Sequence, residues 1–176
     1  MQKIVLTFGI ISGAILVALM LITTPFMGEI MDYSTAEFLG YVSMIVALST
    51  IFIGIKNYRD REMNGVISFA KAFQVGLLIT LLASAIYVAG WVTYMNVSDS
   101  NFTEKYAQYL QEELQKSGAS QEIIDAQMAE IESFKEMYQN PFIQIGFTFL
   151  EIFPVGLLVS LIAAALLKKK VSPQPA

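Results

Sequence analysis

The stretch Ala72–Met95, AFQVGLLITLLASAIYVAGWVTYM, runs for 24 residues without a charged side chain. A helix rises 1.5 Å per residue, so about 20 residues cross the roughly 30 Å hydrocarbon core of a bilayer. A helix of a soluble bundle carries a polar stripe for water, and none runs along this segment. Three more stretches read the same way on either side of it: Ile4–Ile22, Phe38–Ile55 and Phe142–Leu167. The sequence predicts an all-α polytopic membrane protein, a single membrane domain over 1–176 with four transmembrane helices. The only long polar connection, 96–140, lies between the third and fourth spans.

Composition narrows the chemistry. The chain has 176 residues, 55% of them hydrophobic, with no histidine and no cysteine. Thiolate and imidazole metal ligands, disulfides, cysteine nucleophiles and Ser-His-Asp triads are excluded at once. The reading includes no metal, no cofactor and no nucleic-acid partner; the expected surroundings are the lipid bilayer. The first apolar run exceeds the usual signal-peptide core, and no small-residue cleavage pattern follows it, so it is expected to be a retained span.

Basic residues sort by side. Lys3, then Lys56, Arg59, Arg61 and Lys71, then Lys168, Lys169 and Lys170 account for eight of the eleven. The connection from span one to span two has Glu29, Asp32 and Glu37 and no cation. The long connection holds Lys105, Lys116 and Lys135 against nine acids. The positive-inside rule places both termini and the second connection in the cytoplasm. Tyr33, Tyr41, Trp91, Tyr94, Tyr138 and Phe142 then fall near the opposite boundary, where amphipathic rings settle.

Within the long connection, Phe102, Tyr106, Leu110 and Leu114 recur at helical spacing from about Asn101, with Thr103 as the expected N-cap. Lys116-Ser117-Gly118 closes that helix, and Ser120 caps a second with Ile124, Met128, Ile131, Phe134 and Tyr138 on one face. The prediction is an extracytoplasmic helical hairpin over about 101–139, its two stripes burying each other.

Glu151 is the one acid well inside a predicted span. Ionised at that depth it costs about 2.5–3.5 kcal/mol, so it should face the bundle interior, be protonated, or both. Pro154 removes a helical N–H three residues later, and a kink is expected there. Tyr87 and Ser84 are the expected hydrogen-bond partners of Glu151, because Lys71 sits too near the cytoplasmic end to reach it. Lys56, Arg59, Arg61 and Lys71 read as lipid-headgroup contacts and orientation signals. Rows of small residues, Gly9/Gly13, Ala72/Gly76/Thr80/Ser84 and Gly156/Ser160/Ala164, allow close helix approach within or between subunits.

The stretches Lys3–Gly9, Gly54–Asp60, Gly65–Phe69 with Ala72-Phe73, and Glu151–Gly156 resemble the small bacterial membrane proteins grouped as domain of unknown function 4199. The resemblance covers nearly the whole chain. It implies a four-span inner-membrane protein of a Gram-negative bacterium with the long connection in the periplasm, and it implies no activity. The expected role is a non-catalytic structural or interaction protein whose hairpin or bundle face meets a partner protein or a second copy of the chain. The alternative is a small oligomeric transporter or proton-linked permease centred on Glu151 and the Pro154 kink. A sealed environment around Glu151 favours the first, and a water-accessible cavity reaching it favours the second.

Overall fold

The computed structural model describes residues 1–28, 30–98 and 102–169. Glu29, Asn101 and Lys170, which entered the sequence reading, lie outside them. Seven helices follow in order: α1 (Gln2–Thr23), α2 (Tyr33–Leu48), α3 (Thr50–Glu62), α4 (Phe69–Val97), α5 (Phe102–Lys116), α6 (Gln121–Tyr138) and α7 (Pro141–Leu167). Four helical runs are long and apolar enough to cross a membrane: Gln2–Phe26, Tyr33–Glu62, Phe69–Val97 and Pro141–Leu167. Local chemistry sets their starts. The Asp32 carboxylate accepts from the Thr35 N–H, Ser68 Oγ from the Lys71 N–H, and Asn140 Oδ1 from the Phe142 N–H, with Pro141 in the first turn of α7.

The second span departs from expectation. It is not one helix but two, α2 and α3, meeting at Ser49. The Ser49 hydroxyl donates to the Val46 carbonyl at 2.6 Å, and the Thr50 hydroxyl to Ala47 at 2.8 Å. The Phe52 N–H reaches the Ser49 carbonyl, one residue short of the α-helical partner. Two adjacent hydroxyls competing for carbonyls three residues back interrupt the ladder. By contrast α7 continues through Pro154 as one helix.

The break matters because the two pieces pack differently. α3 lies against α4, α1 and α7, while α2 lies against α1 and α7. α4 is the central helix, with its largest contacts to α7 and α1. Small residues set those contacts. Gly9 and Gly13 of α1 sit over Leu82 and Ile86 of α4, where an added Cβ would come within 2.6 and 2.7 Å. Gly156 of α7 abuts the Thr80 side chain so closely that a Cβ would collide with it. Thr80 Oγ1 donates to the Gly156 carbonyl at 3.2 Å and shares a 3.0 Å hydrogen bond with Ser160 Oγ. The small-residue rows thus pack helices within one chain. Around this seam Leu48, Ile51, Ile55, Val75, Ile79, Ala83 and Ile152 are fully buried.

The two ends of the bundle differ. At one, the α3–α4 turn is held by a pair of backbone hydrogen bonds between Ile67 and Lys169, 3.0 and 2.9 Å, and Arg59 Nη1 donates to the last carbonyl of α7 at 3.4 Å. At the other, α5 and α6 connect the end of α4 to the start of α7. They pack on one another, and Lys135 of α6 lies 3.7 Å from Glu104 of α5. α5 begins at Phe102, so Thr103 lies inside the first turn and is not the cap. Neither α5 nor α6 contains a fully buried residue. Their stripes do not seal each other, because the aromatic members turn toward the spans. Tyr106 and Tyr109 lie 5.4 and 4.8 Å from the Tyr33 ring of α2, and Phe134 lies 5.4 Å from Phe147 of α7.

The seam predicts an asymmetry among glycines. Gly156→Ala should cost about 1–3 kcal/mol through overpacking against the β-branched Thr80. Gly146→Ala, with nothing within 4 Å of its Cβ, should be neutral or stabilising by up to about 1 kcal/mol. Unfolding by sodium dodecyl sulfate in mixed micelles, followed by Trp91 fluorescence, measures both.

Candidate functional site

At the α5–α6 end the helices border a half-open cavity of about 640 Å³, while α1 and α4 stay in contact there, an added Cβ on Gly90 coming within 2.7 Å of Val17. Leu16 and Met20 of α1, one face of α2, Tyr87 and Trp91 of α4, and Glu151 of α7 form its floor and walls, and α5 and α6 form its roof. The lining face of α2 carries Tyr33, Ala36, Glu37, Gly40 and Met44, spaced as one side of a helix. Gly40 has no atom within 4 Å of its Cβ position, so it faces open space where the seam glycines face side chains.

Aromatic groups join roof to walls. Trp91 Nε1 donates to the Tyr138 hydroxyl at 2.8 Å, and the Phe102 ring meets Trp91 edge-on at 5.4 Å. Burial, ahead of any neighbour, pushes the Tyr138 phenol up from its ordinary value. Burial first, and then the nearby Glu37 carboxylate, does the same to Tyr106. Each such ring pair adds about 0.5–1.5 kcal/mol beyond the area it buries, so the roof is held to the bundle mainly by aromatic contacts.

The charged lining is one-sided. Glu37, Glu130 and Glu151 contribute carboxylates, and Lys135 is the lining cation. Lys135 is already engaged, 3.7 Å from Glu104 and 3.4 Å from Glu132. Glu37 of α2 and Glu151 of α7 line the same cavity. Among the described residues, no three carboxylates gather closely enough to hold a metal ion.

Of the expected site, Glu151 and Tyr87 come together here, both facing the cavity. Ser84 does not. Its hydroxyl is fully buried in α4 and has no hydrogen-bond partner. The spacing of Ser84 from Tyr87, one turn along α4, placed it at the right depth, but it is buried and does not line the cavity. Glu151 itself is exposed to the cavity rather than enclosed by partners. Arg59 is occupied by Asp60, 2.7 Å away, and by the end of α7, and Lys71 by Gln74 at 3.0 Å. Lys56 and Arg61 are exposed at the same end. Sequence reasoning missed Glu37 and Gly40, which it left at the edge of a span. The signal was available in the helical spacing Tyr33, Glu37, Gly40, Met44, a mixed face that lipid alone would not favour. Four of the six residues read as boundary aromatics, Tyr33, Tyr41, Trp91 and Tyr138, line the cavity.

These features define a helical protein with four membrane-length helical runs and a chamber at one end roofed by two shorter helices. The chain matches, over residues 7–169, the family described as Protein of unknown function (DUF4199), and it belongs to that family. No curated protein and no solved structure matches it.

Replacing Tyr138 by Phe removes the acceptor of the Trp91 indole and should cost about 1 kcal/mol. The wild-type phenol, raised by burial, contributes fully below pH about 10 and loses its contribution as the pH climbs beyond that. Alkaline unfolding should therefore destabilise the wild type more than Tyr138→Phe, as read from Trp91 emission between neutral and strongly basic pH.

Proposed function

We propose that this chain is a non-catalytic membrane protein that holds a small apolar or amphipathic molecule in the chamber beneath α5 and α6. One observation carries the reading: a cavity of about 640 Å³ that descends from the roof to Glu151. Ligand sites of this kind run about 300–1,000 Å³ and are walled mainly by apolar and aromatic groups with a few polar ones. A protein whose only role was to present its outer helices to a partner would have no need of a chamber behind them. The basic residues at the Arg59/Lys71 end support a cytoplasmic placement for that end. The roof then lies on the periplasmic side of an inner membrane, and the α5–α6 pair is an extracytoplasmic hairpin.

The second reading, a permease, is favoured by the open cavity that reaches Glu151, one turn before Pro154. It requires the tightly packed seam to open. Uptake of the ligand into sealed vesicles, as against binding alone, distinguishes the two.

Two experiments test this proposal. The chain has a single tryptophan, Trp91, in the chamber wall. N-Phenyl-1-naphthylamine, a neutral apolar fluorophore, should quench Trp91 saturably by energy transfer in phosphatidylcholine nanodiscs. Gly40→Phe, whose Cβ meets no atom within 4 Å, should weaken that binding by about tenfold or more; unchanged binding overturns the assignment of the chamber. For orientation, an impermeant thiol reagent should label Ser117→Cys in intact spheroplasts and leave Asn57→Cys unlabelled. The reverse pattern overturns the topology.

A further inference from the structure

A chamber walled by rings and bearing carboxylates selects its occupant by charge. Three of its charged side chains are acids, Glu37, Glu130 and Glu151, and its one cation is committed to Glu104 and Glu132. Among the described residues, neither Glu37 nor Glu151 has a hydrogen bond or an ion pair. A carboxylate without a partner at the depth of Glu151 is costly, and a bound cation is the counter-charge that relieves that cost, with Glu37 at the span edge adding to the attraction. The lining aromatics, Tyr33, Trp91, Phe102 and Tyr106, present ring faces and edges around the same space. Ring faces attract organic cations. A metal ion fits poorly, because no three carboxylates converge, and an inorganic cation would leave the apolar remainder of the chamber unfilled.

We infer that the chamber binds an amphipathic organic cation, a protonated or quaternary amine or a phosphonium carrying an apolar body, with its charge between Glu37 and Glu151. This rests on the reading of the chamber as a ligand site and adds the class of ligand. The bound cation sits below the roof, its apolar groups against Leu16, Met20 and Met44, and its single charge offsets one of the two carboxylates and eases the repulsion between them. An anion of the same shape meets uncompensated carboxylates and no free lysine.

Tetraphenylphosphonium and tetraphenylborate are of nearly equal size and opposite charge, and serve as the pair of probes. Each is titrated into the protein in phosphatidylcholine nanodiscs against Trp91 emission, with protein-free nanodiscs correcting for partition into lipid. N-Phenyl-1-naphthylamine serves as the neutral reference. The phosphonium should bind saturably and at least about tenfold more tightly than the borate. Glu37→Gln combined with Glu151→Gln keeps side-chain shape and should shrink the preference for the phosphonium over the borate to about twofold or less. Equal binding of both ions, or preference for the borate, overturns the inference while neutral-probe binding keeps the chamber. A preference that survives the double substitution also overturns the assignment to these two carboxylates. Failure of all three probes to bind overturns the chamber reading itself.

Discussion

Thr80 of α4 meets the backbone of α7 at Gly156, and the rest of the architecture follows from that approach. In lipid there is no hydrophobic drive to bring helices together, so contact depends on close packing and on hydrogen bonds between helices. Thr80 supplies both. Its methyl lies where a Cβ on residue 156 would be, and its hydroxyl binds the Gly156 carbonyl and Ser160. Such a bond is worth on average about 0.6 kcal/mol in a membrane protein. The larger effect is geometric, because it fixes the distance between two long helices. Gly9 and Gly13 do the same for α1 on the other side of α4.

Small residues lock α4 to α1 and α7, and α4 stays close to α1 as far as Gly90, where an added Cβ would come within 2.7 Å of Val17; the cavity opens beside Tyr87 and Trp91, toward α2 and Glu151. Tyr87, Trp91 and Tyr33 occupy positions where the seam has glycine, serine or threonine. The break at Ser49 completes the arrangement. It lets α3 lie flush against α4 while α2 leaves on its own course along α1 and α7. The result is a bundle closed at one end and hollow at the other. Two amphipathic helices that could not seal each other are placed over the opening, held by Trp91, Tyr138 and the Tyr33 cluster.

Much of this was legible in the sequence, and the reasons are physical. Length and lack of charge gave four membrane-length helical runs, since a bilayer imposes a length that nothing else in a short chain demands. Rows such as Gly76, Thr80 and Ser84 showed which faces could approach, though not that the partner was the same chain. Glu151 stood out because a charge at that depth needs an explanation. Its surroundings were not legible. Whether Ser84 or Tyr87 faces Glu151 depends on the rotation of α4, which the Thr80–Gly156 contact sets and periodicity does not. The split at Ser49 was hidden because Ser49 and Thr50 are tolerated in continuous spans, and only their bonds to Val46 and Ala47 show the interruption. Glu37 was read as part of the connection because it is charged and precedes the apolar run that opens at Phe38. It becomes a chamber residue only because α2 begins at Tyr33, five residues before the apolar run.

The division at Ser49 also separates two kinds of evolutionary tolerance. Residues facing the α4 seam are in van der Waals contact with backbone and β-branched side chains, so their drift is confined to near-isosteric exchange. Gly40, on the other side of α2, has no atom within 4 Å of its Cβ position and can grow without meeting the contacts by which the spans assemble. Position 40 can therefore change in size while the half that assembles the scaffold stays the same.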